Sequence, residues 1–139
     1  SLMSRRKKPL EKLKKRLSHS SFASRFLDVA DENIKMIYEA FWKLDAAKGD
    51  RKKELLEVYQ GVQTLKDQGD KSGYTLLAAI GSELCGFIEK LDEASPKEVE
   101  VIKLHLESMK MVIAKNIRGA GGEAGEEMLA GLKQICDSL

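Results

Sequence analysis

The chain has 139 residues, enough for one domain of about 100–150 residues with a core of its own. A third of the residues are charged, aromatics are few and Trp42 is the only tryptophan, a profile that suits a helical bundle and argues against a sandwich or barrel. The net charge of +2 hides an asymmetry: residues 1–18 carry eight Lys/Arg against Glu11 alone (+7), while residues 19–139 carry sixteen against twenty-one (−5).

No apolar run approaches the ~18–20 residues that span a bilayer, and no signal peptide is visible, so a cytoplasmic location is expected. Cys85 and Cys136 both fall in apolar helical context and read as buried free thiols, not a disulfide. No Cys/His pair has metal-ligand spacing along the chain, and neither a metal nor a cofactor is expected.

Taken in order, Ser1-Leu2 ahead of Met3 reads as a vector remnant before a native start. Arg5, Arg6, Lys7, Lys8, Lys12, Lys14, Lys15 and Arg16 then make a basic N-terminal arm over residues 1–18, with Leu10, Leu13 and Leu17 as one apolar stripe on a short helix. The arm reads first as a solubilising extension. Attraction to an anionic membrane or a nucleic acid is the other reading, and it would weaken steeply with salt. Ser18-His19-Ser20-Ser21 predicts a break, with Ser21 as N-cap of the next helix.

The first long helix is predicted from Phe22 to Ala47. Phe22, Phe26, Ala30, Ile34, Ile37, Phe41 and Leu44 recur at helical spacing and form one core-facing stripe. Lys48-Gly49-Asp50 ends it. The second helix spans Arg51 to Gln68 with Leu55, Val58, Tyr59, Val62 and Leu65 inward. Gln63 lies about 100° round from Val62, at the edge of that buried stripe. The third helix, Tyr74 to Asp92, carries Leu77, Ile80, Leu84, Phe87, Ile88 and Leu91. Its Gly81 and Gly86 each cost ~1 kcal/mol of helix propensity, which close approach of a neighbouring helix would explain.

Ser95-Pro96-Lys97-Glu98 combines a serine cap, a first-turn proline and a glutamate at the third position, the pattern of a capping box. It opens a fourth helix from Pro96 to Arg118, with Val99, Ile102, Leu106, Met109, Ile113 and Ile117 inward. Gly119-Ala120-Gly121-Gly122 reads as a flexible connector. A fifth helix, Glu123 to Ser138, sets Met128, Leu132, Ile135 and Leu139 on one side. Long helices with short loops predict an all-α, up-down antiparallel four-helix bundle over residues 19–139, with the C-terminal helix packed alongside.

The most specific stretch is Val62-Gln63-Thr64-Leu65-Lys66-Asp67-Gln68-Gly69-Asp70-Lys71-Ser72-Gly73-Tyr74. It resembles the signature of histidine phosphotransfer domains, above all the domain that begins chemotaxis histidine kinases. In that family His-x-x-Lys-Gly lies on a helix, and a glycine ten residues after the histidine closes the turn to the next. Gln63 stands at the histidine position, Lys66 keeps the lysine, Asp67 replaces the glycine and Gly73 matches the closing glycine. Gly73-Tyr74-Thr75-Leu76-Leu77 continues in the family's manner.

The resemblance implies a phosphorelay scaffold without its nucleophile. An imidazole nitrogen attacks phosphorus, whereas an amide nitrogen has its lone pair delocalised into the carbonyl. The family's orienting glutamate would fall on Cys85, and Glu83 is about 200° round the helix from it. Asp67 adds negative charge where a receiver's acidic pocket would approach. The expected function is therefore non-catalytic: binding a response-regulator receiver or histidine-kinase module, or dimerising, through Gln60, Gln63, Lys66, Asp67 and Lys71. The alternative is a helical adaptor that works through its basic arm. His105 reads as a partly buried or surface histidine and His19 as a solvated loop residue; neither has the family's lysine and glycine at the right spacing.

Overall fold

A computed structural model describes the backbone from Leu2 to Leu139 and the side chains of residues 9–11 and 25–139. Among the described residues the chain forms five helices: α1 (Leu2–Ala46), α2 (Lys52–Lys71), α3 (Thr75–Glu89), α4 (Pro96–Ala114) and α5 (Gly122–Asp137). Connections of three to seven residues join α1 to α5 in turn, and such short links leave consecutive helices antiparallel. α1 packs on α2, α2 on α3, α3 on α4 and α4 back on α1, which closes a four-helix ring, and α5 lies against α3 and α4.

The predicted stripes become the core. Phe26, Ala30, Ile34, Ile37, Phe41 and Leu44 of α1 are buried together with Leu55, Val58, Val62 and Leu65 of α2, Leu77, Ile80, Leu84 and Ile88 of α3, and Val99, Ile102, Leu106, Met109 and Ile113 of α4. Tyr59, Phe87, Leu91, Ile117 and Met128 pack against it while partly exposed. α5 is held less deeply: Gly125 and Leu132 are its buried residues. Ile135 and Leu139, expected on its inner side, are 36% and 57% exposed, and Leu139 lies beyond the end of the helix at Asp137.

The N-terminus departs from expectation. α1 runs without interruption through Ser18–Ser21, so no break occurs there and Ser21 is not an N-cap. Serine and histidine lie only some tenths of a kcal/mol below alanine in helix propensity, and with neither glycine nor proline nearby nothing compels a break. Phe22 and the eight basic side chains of the arm lie outside the described side chains. Leu10 is described and is 52% exposed.

Helix ends follow their local chemistry. At the end of α2, Gly73 takes φ +85° and the Tyr74 N–H reaches back to the Gly69 carbonyl at 2.8 Å. That is a glycine-closed Schellman ending. α4 ends in the same way: Asn116 takes φ +51° and the Ile117 N–H donates to the Val112 carbonyl at 3.0 Å. This stops α4 short of Arg118. The capping box is present, with the Glu98 N–H donating to Ser95 Oγ at 3.3 Å and the Ser95 N–H to Glu98 Oε1 at 3.1 Å. Arg51 ties two connections together, donating from Nε to the Ala47 carbonyl and from a terminal nitrogen to the Ala94 carbonyl, each at 3.0 Å.

The glycine segment after α4 is fastened, not loose. The Gly119 N–H donates to the Gly73 carbonyl and the Gly119 carbonyl accepts from the Leu76 N–H, both at 2.8 Å. Beneath it Tyr74 is fully buried, stacks on Phe26 at 4.6 Å between ring centroids, and donates its hydroxyl to Asn116 Oδ1 at 2.6 Å. The α2–α3 turn that the signature singles out is thereby anchored to both α1 and α4.

Candidate functional site

On α2, successive side chains step by ~100°, so Gln60, Asp67, Lys71, Gln63, Asp70, Tyr59 and Lys66 fall within an arc of about 140°. Gln60, Gln63, Asp67 and Lys71 are exposed and Lys66 half-buried. The structure thus brings the five predicted docking residues onto one side of α2, split by neighbour. Gln60 borders an apolar groove of about 440 Å³ toward α1, with Asn33, Met36 and Lys43 opposite. Lys66 and Asp67 border an open depression of about 390 Å³ toward α3, with Thr75, Ala78 and Ser82.

Lys66 reaches that depression because Gly81 has no side chain. A Cβ on Gly81 would sit 3.0 Å from Lys66 Cβ and 3.4 Å from Met109 Cε. The close approach expected of Gly81 is real, whereas a Cβ on Gly86 would meet nothing within 4 Å, so helix approach does not account for Gly86.

Gln63 is held by its own helix. Its Nε2 donates to the Tyr59 hydroxyl at 3.2 Å, and that hydroxyl donates to Glu89 Oε1 of α3 at 2.5 Å. The hydrogen bond to Glu89, with a smaller contribution from burial, pushes the Tyr59 phenol up to about 12. Sequence reasoning misses both residues: periodicity places Tyr59 in the core stripe, and Glu89 lies one turn beyond the position where the signature wants a carboxylate. At that position Cys85 is buried, and burial raises its thiol to about 11 despite nearby Lys66. A thiol protonated at neutral pH neither orients an imidazole nor attacks phosphorus.

Glu83 points away from this face, as its helical phase predicts, and meets His105 of α4 and Cys136 of α5. One donor atom from each of the three lies within 4.8 Å of the others. His105, expected at or near the surface, is instead fully buried, and burial lowers its pKa below the usual histidine value. Its position one turn after Val101 and one before Met109 puts it on the inner side of α4 where α5 covers it. Both cysteines are free, Cys85 buried and Cys136 half-buried.

None of the described helices is long and apolar enough to cross a membrane. Comparison of the chain with family models, with curated proteins and with solved structures yields no match.

Proposed function

We propose that the chain is a binding module of the histidine-phosphotransfer kind that does not accept phosphate at position 63 and acts by docking a receiver or kinase module on the outer face of α2 and α3. The observation that carries this reading is the setting of Gln63: exposed, central among Gln60, Lys66, Asp67 and Lys71, and held by the Tyr59 hydroxyl. That is where an accessible phosphoacceptor would have to stand, and the residue there is an amide with no nucleophilic nitrogen. The Gly73 ending of α2 and the buried Tyr74 beneath it support the likeness to the relay scaffold. Glu89, the carboxylate of α3 linked to Gln63 through the Tyr59 hydroxyl, is engaged by that hydroxyl, and position 85 offers a thiol where an imidazole's orienting carboxylate would stand. Such a module works by occupying partners, competing with an active relay domain for the same receiver or kinase surface.

Calorimetric titration of receiver and kinase modules against the whole chain tests this. The expected result is a 1:1 complex that persists after deletion of residues 3–17 and is weakened at least ~10-fold by Lys66→Glu with Gln63→Ala, the loss of a central interface contact. Incubation with phosphorylated receiver should leave α2 unlabelled. Acid-labile label on α2, or affinity unchanged by the double substitution, overturns the proposal. Binding that falls steeply with ionic strength and vanishes on deletion of residues 3–17 would transfer the function to the basic arm and an anionic membrane or nucleic acid.

A further inference from the structure

A fully buried imidazole is costly unless its nitrogens are satisfied. His105 Nδ1 lies 2.7 Å from the carbonyl oxygen of Val101, one turn earlier. A carbonyl only accepts, so Nδ1 carries the proton and Nε2 of the neutral ring presents a lone pair. That lone pair faces Cys136 Sγ at 3.7 Å, with the Glu83 carboxylate beside both. The Phe87 ring lies nearly parallel to the imidazole, inclined by 11° at 6.5 Å between centroids. Three helices that are remote in sequence thus converge one nitrogen, one sulfur and one oxygen donor on a common point.

We infer that Glu83, His105 and Cys136 form a binding site for a divalent cation of the zinc class, which clips α5 to α3 and α4. Mixed imidazole, thiolate and carboxylate donors suit zinc and its borderline neighbours and not magnesium or calcium. In a tetrahedral site with Zn–S ≈ 2.3 Å and Zn–N ≈ 2.0–2.1 Å, sulfur and nitrogen stand about 3.6 Å apart. The 3.7 Å separation of Cys136 Sγ and His105 Nε2 therefore needs almost no adjustment. The carboxylate closes by at most about 1.4 Å from its 4.8 Å limit, within the swing of a glutamate side chain. The Val101 carbonyl supplies the partner on the far ring nitrogen that metal-bound histidines use to fix their orientation.

Charge and protons balance. Binding releases the Cys136 thiol proton to solvent, and the dication with one thiolate, one carboxylate and a neutral imidazole sums to zero. Lys90 and Asp137 stand near Cys136 with opposite signs and offset each other. Three protein ligands leave one position, which solvent reaches past the half-buried Cys136. The role is mechanical: α5 buries only Gly125 and Leu132 among its residues, and the clip secures its last turns where Ile135 fails to pack.

The test uses the whole chain freed of metal and titrated with cobalt(II), a spectroscopic stand-in for zinc. The expected result is release of one proton per cobalt bound and a saturable sulfur-to-cobalt charge-transfer band with tetrahedral visible bands at one equivalent, which zinc then displaces without further proton release. Cys136→Ser should abolish the band and Cys85→Ser should keep it. Glu83→Gln should weaken binding at least ~10-fold. Cys136 is half-buried, so its serine variant is expected to fold, which circular dichroism checks; His105 is left intact because emptying a buried ring site destabilises the fold. No saturable band at one equivalent, a band without sulfur character, or a band that survives Cys136→Ser overturns the site. None of these outcomes depends on whether α2 docks a receiver.

Discussion

Gly61 sits in α2 where that helix crosses α1, and alanine there tests the tightness of the crossing. A Cβ on Gly61 would lie 2.7 Å from Ile37 Cγ1 and 3.5 Å from its Cδ1, about 1 Å inside the ~3.5–4.0 Å of ordinary carbon contacts. Ile37 is 2% exposed and its Cγ1 is bonded directly to Cβ, so either the side chain leaves its packed rotamer or the two helices part. Overpacking of this kind costs ~1–3 kcal/mol, against a gain of ~0.8–1 kcal/mol from replacing a helical glycine. We expect Gly61→Ala to lose about 1 kcal/mol, the balance of those two effects. Gly86→Ala and Gly131→Ala, with nothing within 4 Å of the added atom, should each gain ~0.5–1 kcal/mol from the same helix-propensity effect. Urea unfolding with a common m-value reads the difference as a spread in midpoints. In an Ile37→Ala background the obstructing Cγ1 is gone and Gly61→Ala should become stabilising. If Gly61→Ala proves as stable as Gly86→Ala, or keeps its sign in the Ile37→Ala background, α1 and α2 do not cross as closely at Gly61 as the structure has them.

Tyr74→Phe removes the hydroxyl that donates to Asn116 Oδ1 and should cost about 1 kcal/mol. Combined with Asn116→Gly, which tolerates the left-handed backbone, a double-mutant cycle should give a coupling of ~0.5–1.5 kcal/mol; simple additivity would mean that the hydrogen bond contributes nothing. Tyr59 should ionise near pH 12 in the folded protein, read as the tyrosinate absorbance lost in Tyr59→Phe. Its folded value lies above the ~10 of an unfolded chain. Its contribution to stability is therefore complete below pH 10 and disappears as pH rises from 10 to 12. Glu89→Gln should bring the titration down toward 10, and an unchanged curve would show that the carboxylate does not hold the phenol.

The parts of the fold legible in the sequence are those written in local periodicity or local caps. The α1 stripe from Phe26 to Leu44 is readable because burial repeats every turn along one helix, and the Ser95–Glu98 box because both of its hydrogen bonds close within four residues. Gly73 is legible because φ +85° suits glycine far better than other residues. Asn116 performs the same service for α4 but carries a weaker signal, since asparagine also sits in ordinary helices and loops, and the predicted helix runs past it. The hydrogen bonds of Gly119 to Gly73 and Leu76 join segments more than forty positions apart and leave no local mark. Serines at 18–21 mislead for a different reason: a preference for caps does not forbid a helix from continuing.

The two candidate sites are hardest to read for one shared reason, and it lies in α3. Cys85 and Glu83 are two residues apart and therefore about 200° apart on the helix, so one turn of α3 presents a thiol to Lys66 on α2 and a carboxylate to His105 and Cys136 on the opposite side. Spacing along the chain sees only an acid two places from where a phosphorelay would want it. In the folded bundle the same acid has different company, supplied by residues at 105 and 136 that no motif search centred on residue 63 would join to it. A thiol and not a carboxylate on one face and a donor set on the other thus rest on the phase of a single helix. Moving the acid by Glu83→Gln with Cys85→Glu would exchange one arrangement for the other. The double variant should lose tight cobalt binding, because a neutral amide at position 83 is a poor ligand. The carboxylate gained at position 85 would stand near Asp67 and Glu89 and add negative charge there without supplying a nucleophile. Cobalt affinity equal to that of the unaltered chain would show that the phase of α3 does not divide the two faces in this way.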